Sequence, residues 1–248
     1  IQPFWDMGQI ENTIRSDSIS VSEFQWTRDV MSCVPGNGQL GLMLSGPEDF
    51  HGYCFGVADC RDDIPLYGMT KGYFIRFSPG TFSALFKIPS AEIPARGIDL
   101  SLVLPREKVE QIKDAVASQF PGETLLRMFE GWNVDSCRSQ KEQELANEAV
   151  HLIWSNRGAL RIKDLEQETL YSARRLQEVV TRQVGIGPKQ LCRQTRFQNA
   201  LRLLTSLEAG IYTQAQAAQI LGYSDQAHYN REFKEFSGVS PCQFQKRK

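Results

Sequence analysis

A polar stripe near the carboxyl end of the sequence contains the residue types that read the edges of DNA bases. Its members recur at offsets of three and four and therefore share one face of a helix predicted over Asp225–Phe236. They are Gln226, Ala227, Asn230 and Arg231. Arginine, glutamine and asparagine form paired hydrogen bonds with base edges in the major groove, which is wide enough for a helix. The opposite face is apolar and carries Tyr229, Phe233 and Phe236.

The residues before this helix are suited to bracing it. In a helix-turn-helix, a first helix supports the second so that the second enters the major groove. Ala218 lies one turn before Gly222, and the glycine permits both close approach and the positive φ of a sharp turn. Ser224 or Asp225 then caps the second helix.

The same design occurs twice. The stretches Arg161–Gly187 and Gly210–Ser240 each predict a short helix, a tight turn, a longer helix that ends at glycine, and a helix that starts at proline. In the first copy, Ser172 caps a helix over Ala173–Val184. The exposed positions of that helix are Arg174, Arg175, Gln177, Glu178 and Arg182. The intervening helix from Pro188 carries basic side chains suited to lying along a DNA backbone, namely Lys189, Arg193, Arg196 and Arg202.

The charges of the chain are distributed unevenly. The net charge is −1, but residues 1–139 carry 12 basic and 18 acidic side chains, whereas residues 140–248 carry 16 basic and 11 acidic ones. Local positive potential, rather than the total charge, attracts nucleic acid. The second half is therefore suited to facing phosphate, and the first half would be repelled by it.

The apolar periodicity predicts an α+β chain: an antiparallel sheet with flanking helices, then an all-α half of seven helices. The predicted strands are Asp29–Val34, Gln39–Leu44, Gly52–Val57 and Gly72–Phe77. The seven predicted helices are Glu142–Trp154, Ile162–Glu168, Ala173–Val184, Pro188–Leu207, Gln214–Leu221, Asp225–Phe236 and Cys242–Lys246. We place a β-rich domain at residues 1–104, a helical linker at 105–139 and the DNA-binding domain at 140–248.

Three connections in the first half are also predicted. The glycines and asparagine of Pro35-Gly36-Asn37-Gly38 tolerate the backbone of a tight turn, so the first two predicted strands are expected to form a hairpin. A short helix is expected at Ser83–Phe86, and Pro105 opens a helical stretch with apolar residues every three to four positions. The stretch Pro105–Trp132 is a candidate subunit interface of a homodimer.

The run from Leu221 to Pro241, LGYSDQAHYNREFKEFSGVSP, resembles the signature of the AraC/XylS-type transcriptional regulators. This resemblance covers about residues 140–248 and implies two helix-turn-helix units joined by one long helix, with each second helix in a successive segment of the major groove. The base readers that it implies are Arg174, Gln177, Glu178, Gln226, Ala227 and Arg231. The expected phosphate contacts are Ser172, Arg175, Arg182, Lys189, Arg193, Asn230 and Ser240.

The first unit departs from the family pattern at three positions. Glu166 replaces the usual small residue, and Leu170 replaces the usual glycine. Glu178 stands where a basic residue is common, so it either accepts a hydrogen bond from a cytosine amino group or is repelled by phosphate. The base contacts of the first unit are therefore less well defined than those of the second.

The amino-terminal half resembles the half-barrel domain of one AraC-type subgroup. The similarity lies in Gly72–Gly80, followed by Leu85-Phe86 and Ile88-Pro89. Such domains bind an effector or pair subunits. Aromatic residues of the predicted sheet either line an effector pocket or pack in the core, and the pocket candidates are Trp26, Tyr53, Phe55 and Tyr73.

Signals for catalysis, metals and cofactors are weak. The string Gly36-x-Gly38-x-x-Gly41 precedes a strand rather than a helix, so phosphates would meet no helix terminus. His51 is the only histidine of the first half, and the acidic cluster Asp59–Asp63 is typical of a solvated loop. The six cysteines lack zinc-site spacing and are interpreted as reduced thiols. We therefore expect no metal, no cofactor and no enzyme activity.

These patterns together predict a cytoplasmic transcription regulator. It would bind double-stranded promoter or operator DNA, activate transcription with RNA polymerase and respond to a small molecule through its first half; no apolar run is long enough for a membrane span. One alternative makes the first half a pure oligomerisation or protein-partner module. Another makes it an enzymatic or DNA-repair domain fused to the DNA-binding domain.

Overall fold

The chain has the predicted α+β architecture, with a sheet in its first half and helices throughout its second. The computed structural model describes residues 10–25, 30–34, 39–57, 62–66, 71–132, 140–208 and 211–245. Within these residues no helix is long and apolar enough to cross a membrane. Cys54 and Cys192 are buried free thiols and Cys242 is an exposed one.

Most strands of the first half form one antiparallel sheet. The strands are β1 Ile10–Arg15, β2 Ile19–Gln25, β3 Val30–Val34, β4 Leu40–Ser45, β5 Gly52–Phe55, β6 Asp62–Leu66, β7 Lys71–Phe77 and β8 Ile98–Asp99. Six of them lie in the order β1-β2-β7-β4-β5-β8, and β3 pairs with β6 in a separate ribbon. The four predicted strands are confirmed within two residues at each end, whereas β1, β2, β6 and β8 were not predicted.

The predicted hairpin between the first two of those strands is wrong. β3 pairs with β6, and β4 instead lies between β5 and β7. Every residue of β4 is buried, so this strand needs neighbours on both edges, and the apolar β5 and β7 supply them. The turn residues 35–38 lie outside the described part of the chain.

Short helices cover one face of the sheet. They are α1 Thr81–Phe86, a 3-10 turn at Ser90–Glu92, α2 Leu100–Val103, α3 Arg106–Val116 and α4 Pro121–Gly131. The short helix predicted near Ser83 and the helical stretch after Pro105 are thus confirmed. Phe77 of β7, Phe86 of α1 and Phe129 of α4 meet edge to face with centroids 5.5–6.2 Å apart. The helices α3 and α4 therefore share one core with the sheet.

The second half contains the seven predicted helices, each within two residues of its predicted ends. They are α5 Gln140–Ser155, α6 Ile162–Thr169, α7 Ala173–Val184, α8 Pro188–Glu208, α9 Gln214–Ile220, α10 Gln226–Ser237 and α11 Pro241–Gln245. They enclose two cores. One core ends at Cys192 and the other begins at Phe197, and both residues belong to α8. This long helix therefore joins two compact units.

Candidate nucleic-acid interface

The turn of the second unit has the predicted geometry. Gly222 has a φ of +76°, and a Cβ there would lie 2.7 Å from the Cβ of Ala159, so only glycine fits. Of the two predicted caps, Asp225 is the one used: its carboxylate accepts a hydrogen bond of 2.6 Å from the backbone N–H of His228. This bond lowers the pKa of Asp225 below its ordinary value. The cap thus defines where α10 begins.

Helix α10 presents the predicted polar face outward. Gln226, Ala227 and Arg231 are exposed, and Asn230 is half-buried. The apolar face is fully buried and consists of Tyr229, Phe233 and Phe236. Lys234, one turn after Arg231 and Asn230, is also exposed on the outward face; its basic character and its spacing were the signals that could have identified it.

A buried carboxylate ties α10 to α8. The side chain of Glu232 is 3% exposed and accepts a hydrogen bond of 2.8 Å from Arg193 Nε, and its Oε1 lies 3.4 Å from Arg196 Nη2. Arg193 also donates to Glu235 at 2.6 Å and lies over the ring of Phe236. The guanidinium of Arg193, a predicted phosphate contact, is thus engaged by two carboxylates. Glu232 lies on the apolar stripe of α10, which was the sequence signal for its burial.

In the first unit, the structure accounts for two of the three departures from the family pattern, those at Leu170 and Glu166. Leu170 has a φ of +61°, the left-handed backbone that glycine would adopt more easily, and its side chain is 88% exposed. Glu166 accepts a hydrogen bond of 2.6 Å from the backbone N–H of Ala173, the first residue of α7. Ser172 caps the same helix as predicted, because its hydroxyl oxygen accepts from Arg175 N–H. Glu166 therefore acts as a second cap in place of the usual small residue.

Helix α7 also presents its predicted base readers outward. Arg174, Gln177 and Glu178 are exposed, whereas Leu176, Val179 and Val180 are buried. The two flanking arginines are held by carboxylates. Their four contacts are Arg175 with Glu142 at 2.7 Å and Glu178 at 3.3 Å, and Arg182 with Glu142 at 3.1 Å and Glu178 at 3.5 Å.

Glu142 on α5 thereby occupies the guanidinium groups of Arg175 and Arg182, two of the predicted phosphate contacts. The hydrogen bond from Arg175 lowers the pKa of Glu142, so the carboxylate is charged at neutral pH. Glu142→Gln is expected to raise affinity for cognate and random DNA alike and to steepen the salt dependence by up to about 2 in log–log slope, because Arg175 and Arg182 each lose one of their two carboxylate partners and become more available to phosphate. Titrations at several salt concentrations measure both effects.

Glu144 provides the matched control, because it lies exposed on the same helix. Glu144→Gln makes the same change in net charge without touching Arg175 or Arg182. If the two variants bound DNA equally, the effect would come from net charge, and competition between Glu142 and phosphate would be refuted.

A basic cleft of about 650 Å³ lies between the two units. Its charged lining consists of Arg161, Lys189, Arg193, Arg196, Arg231, Glu232 and Glu235, so five basic side chains face two acidic ones. Lys189 is exposed in the first turn of α8. At α11, the hydroxyl oxygen of Ser240 accepts from the backbone N–H of Gln243 and caps the helix. Two of the predicted phosphate contacts, Lys189 and Arg193, thus line the same cleft as Arg231 of α10.

The four effector candidates do not form one site. Trp26 lies outside the described residues. Tyr73 is buried in the same core as Cys54, whereas Tyr53, the neighbour of Cys54 on β5, points to the other face of the sheet. Phe55 shares that other face, with its ring 6.3 Å from that of Tyr53. The sheet therefore separates Tyr73 from the other two.

A different cavity of about 420 Å³ lies between the sheet and the second half. It is lined by Arg15 of β1, Arg76 of β7 and Arg202 of α8, and none of the described residues that line it is acidic. Burial, together with the positive charge of Arg15, lowers the pKa of Arg76 to about 10. No pattern in the sequence indicates this site, because its residues are distant along the chain and meet only in the tertiary structure.

Comparison with known proteins identifies the domain type of residues 165–247. Residues 165–247 match the family model described as a helix-turn-helix domain. No curated protein is significantly similar in sequence. Solved structures of ToxT from Vibrio cholerae resemble the whole chain at 11% identity: one form covers 93% of this chain and 99% of its own with a TM-score of 0.49, and a form with bound unsaturated fatty acid covers 94% and 97% with a TM-score of 0.46. Residues 165–247 of this chain are thus a helix-turn-helix domain.

Proposed function

We propose that the chain is a sequence-specific transcription regulator that grips double-stranded DNA with α7 and α10. The observation that carries the proposal is the repetition of one arrangement: two side-chain-capped helices, each with a buried apolar face and an exposed polar one, joined by α8. Arg174, Gln177 and Glu178 read bases from α7, and Gln226, Ala227 and Arg231 read them from α10. The proposed phosphate contacts are Ser172, Arg175, Arg182, Lys189, Arg193, Asn230 and Ser240.

The two helices read neighbouring segments of an asymmetric site. Reading helices of paired helix-turn-helix units lie about 34–36 Å apart, one turn of DNA. Selection of bound sequences from a random DNA pool tests this directly. We expect two short conserved segments with centres about 10 base pairs apart. Enrichment of no sequence, or of one segment only, would contradict the proposal.

We also propose that the first half senses a small anionic effector in the cavity between the halves. The guanidinium groups of Arg15, Arg76 and Arg202 line this cavity. Burial and the positive charge of Arg15 both disfavour the charged form of Arg76 and lower its pKa. A carboxylate or phosphate there would relieve this repulsion and accept charge-assisted hydrogen bonds. Because Arg202 belongs to the helix that joins both units, an anion bound there would link the sheet to the DNA-binding half.

Thermal unfolding with a panel of mono- and dicarboxylates and sugar phosphates tests for the effector. A ligand at about 100 times its Kd stabilises the folded state by about 2.7 kcal/mol and raises the melting temperature. We expect an anion, but not the matching neutral amide or sugar, to do so, and Arg202→Gln to weaken the shift. A response that is equal for Arg202→Gln and the wild type would place the ligand elsewhere.

The remaining roles follow from this regulator assignment. We propose that it works in the cytoplasm as an activator that contacts RNA polymerase, that it is not an enzyme, and that it forms a homodimer through Pro105–Trp132. The domain limits 1–104, 105–139 and 140–248 belong to the same proposal, with the buried faces of α3 and α4 tying the middle segment to the sheet. If no small molecule shifted the melting temperature, the alternative of a pure oligomerisation or protein-partner module would be favoured.

A further inference from the structure

The carboxyl end of α7 is held by the sheet half of the molecule. The Ser90 hydroxyl donates to the backbone carbonyl of Gln183 at 2.8 Å, and the Ser83 hydroxyl lies 3.0 Å from the same oxygen. The two hydroxyl oxygens are 2.8 Å apart, and the backbone N–H of Ser90 donates to Ser83 Oγ. The three oxygen atoms of Ser83, Ser90 and the Gln183 carbonyl are thus all in contact with one another, and the two hydroxyl groups supply two protons. Only one proton can lie between the two hydroxyl oxygens, so at least one hydroxyl donates to the Gln183 carbonyl.

This clamp, defined by Ser83, Ser90 and Gln183, satisfies a carbonyl that the helix itself leaves open. The last four carbonyls of a helix have no partner within it. That of Thr181 accepts from Gly185 N–H at 2.8 Å, and that of Gln183 is served by the serines. All three clamp residues are buried, with Ser90 only 2% exposed. Buried hydrogen bonds of this kind are costly to break, because the acceptor then loses its partner without gaining water.

The packing around the clamp is close. Gly185, which follows α7 with a φ of +100°, leaves so little room that a Cβ there would lie 3.3 Å from Val57 and 3.4 Å from the Ser90 carbonyl oxygen. Val57 packs against the core of the sheet half and against that of the first unit. Sideways movement of the end of α7 would therefore disturb both cores.

We infer that Ser83 and Ser90 are positioning residues for DNA reading: they fix the direction in which α7 presents Arg174 and Gln177. This inference rests on the proposed function. Helix α7 is also held within the helical half, by the Ser172 and Glu166 caps at its amino end and by the Glu142 contacts with Arg175 and Arg182. The clamp adds the contact by which the sheet half fixes the carboxyl end of the same helix. The sheet half thus takes part in aiming α7, whereas α10 of the second unit is tied to α8 by the Glu232 contacts.

The test is the base preference of the full chain carrying both Ser83→Ala and Ser90→Ala, measured separately for the two DNA segments selected by the wild type. We expect discrimination at the α7 segment to fall about 10-fold, equal to the loss of about one good base contact, with discrimination at the α10 segment unchanged. Ser22→Ala is the control, because Ser22 is a buried serine of the same half that bonds to Thr13 rather than to α7. Ser90→Thr, combined with wild-type Ser83, restores a hydroxyl and should retain discrimination better than Ser90→Ala.

Hydrogen exchange without DNA gives an independent measurement. Amides from Thr181 to Gly187 should exchange faster in the double variant, and those of α10 should not. Equal losses at both DNA segments, or an unchanged α7 preference despite faster exchange, would overturn the positioning role. A wild-type chain that selects no sequence would instead overturn the proposed function, so the two failures are distinguishable.

Discussion

Glu232→Ala is expected to lower the free energy of unfolding of the DNA-binding half by about 3 kcal/mol, at the low end of the range for a broken buried ion pair. The variant removes the buried carboxylate from both Arg193 and Arg196 and leaves Arg193 paired with the half-exposed Glu235. The cost is at the low end because these guanidinium groups, 23% and 15% exposed, keep some contact with water. Urea unfolding followed by helical circular dichroism measures the change.

The control for this variant lies one turn further along the same helix. Glu235 also pairs with Arg193, but its side chain is 50% exposed. An exposed ion pair contributes at most about 1 kcal/mol, so Glu235→Ala should leave the stability almost unchanged. Similar losses in the two variants would show that Glu232 does not anchor α10. Because α10 loses its buried ionic link to α8 in Glu232→Ala and keeps the exposed Arg193–Glu235 pair, we also expect weaker DNA binding even where the protein remains folded.

Arg231→Ala is expected to cost about 1–3 kcal/mol on the selected DNA site, or about 5- to 150-fold in affinity, and to relax preference at one base pair. The reason is geometric: Arg231 is exposed on the outward face of α10, in the same cleft lining as Lys189 and Arg161. A guanidinium there can make the paired bonds to guanine that identify a base. Competition binding on the selected site, on single-base variants and on random DNA gives the preference.

Lys234→Ala separates base reading from charge. Lys234 is exposed on the outward face of α10 and carries the same charge, but an ammonium acts as a point charge without the planar fork of arginine. We expect this variant to weaken all DNA about equally and to lower the salt slope by about 1. If Arg231→Ala also weakened cognate and random DNA equally, Arg231 would contact only phosphate.

The sequence by itself determined the helical half of this protein. Periodicity and caps act over three or four residues, so Ser172, Asp225 and Gly222 marked the limits of the reading helices from local chemistry alone. The same local rules identified which faces of α7 and α10 are buried. They also predicted the four strands Val30–Val34, Leu40–Ser45, Gly52–Phe55 and Lys71–Phe77 within two residues.

Only the tertiary structure decided which distant groups meet. The turn residues 35–38 did not predict the partners of β4. This strand is buried along its whole length, so it needs an apolar strand on each edge, and β5 and β7 are those strands. The carboxylates that hold Arg175 and Arg193 lie 33 and 39 residues away from them along the chain. The arginine-lined cavity and the serine clamp likewise join residues from both halves. Such contacts depend on how the finished elements pack, and no local pattern in the sequence encodes that packing.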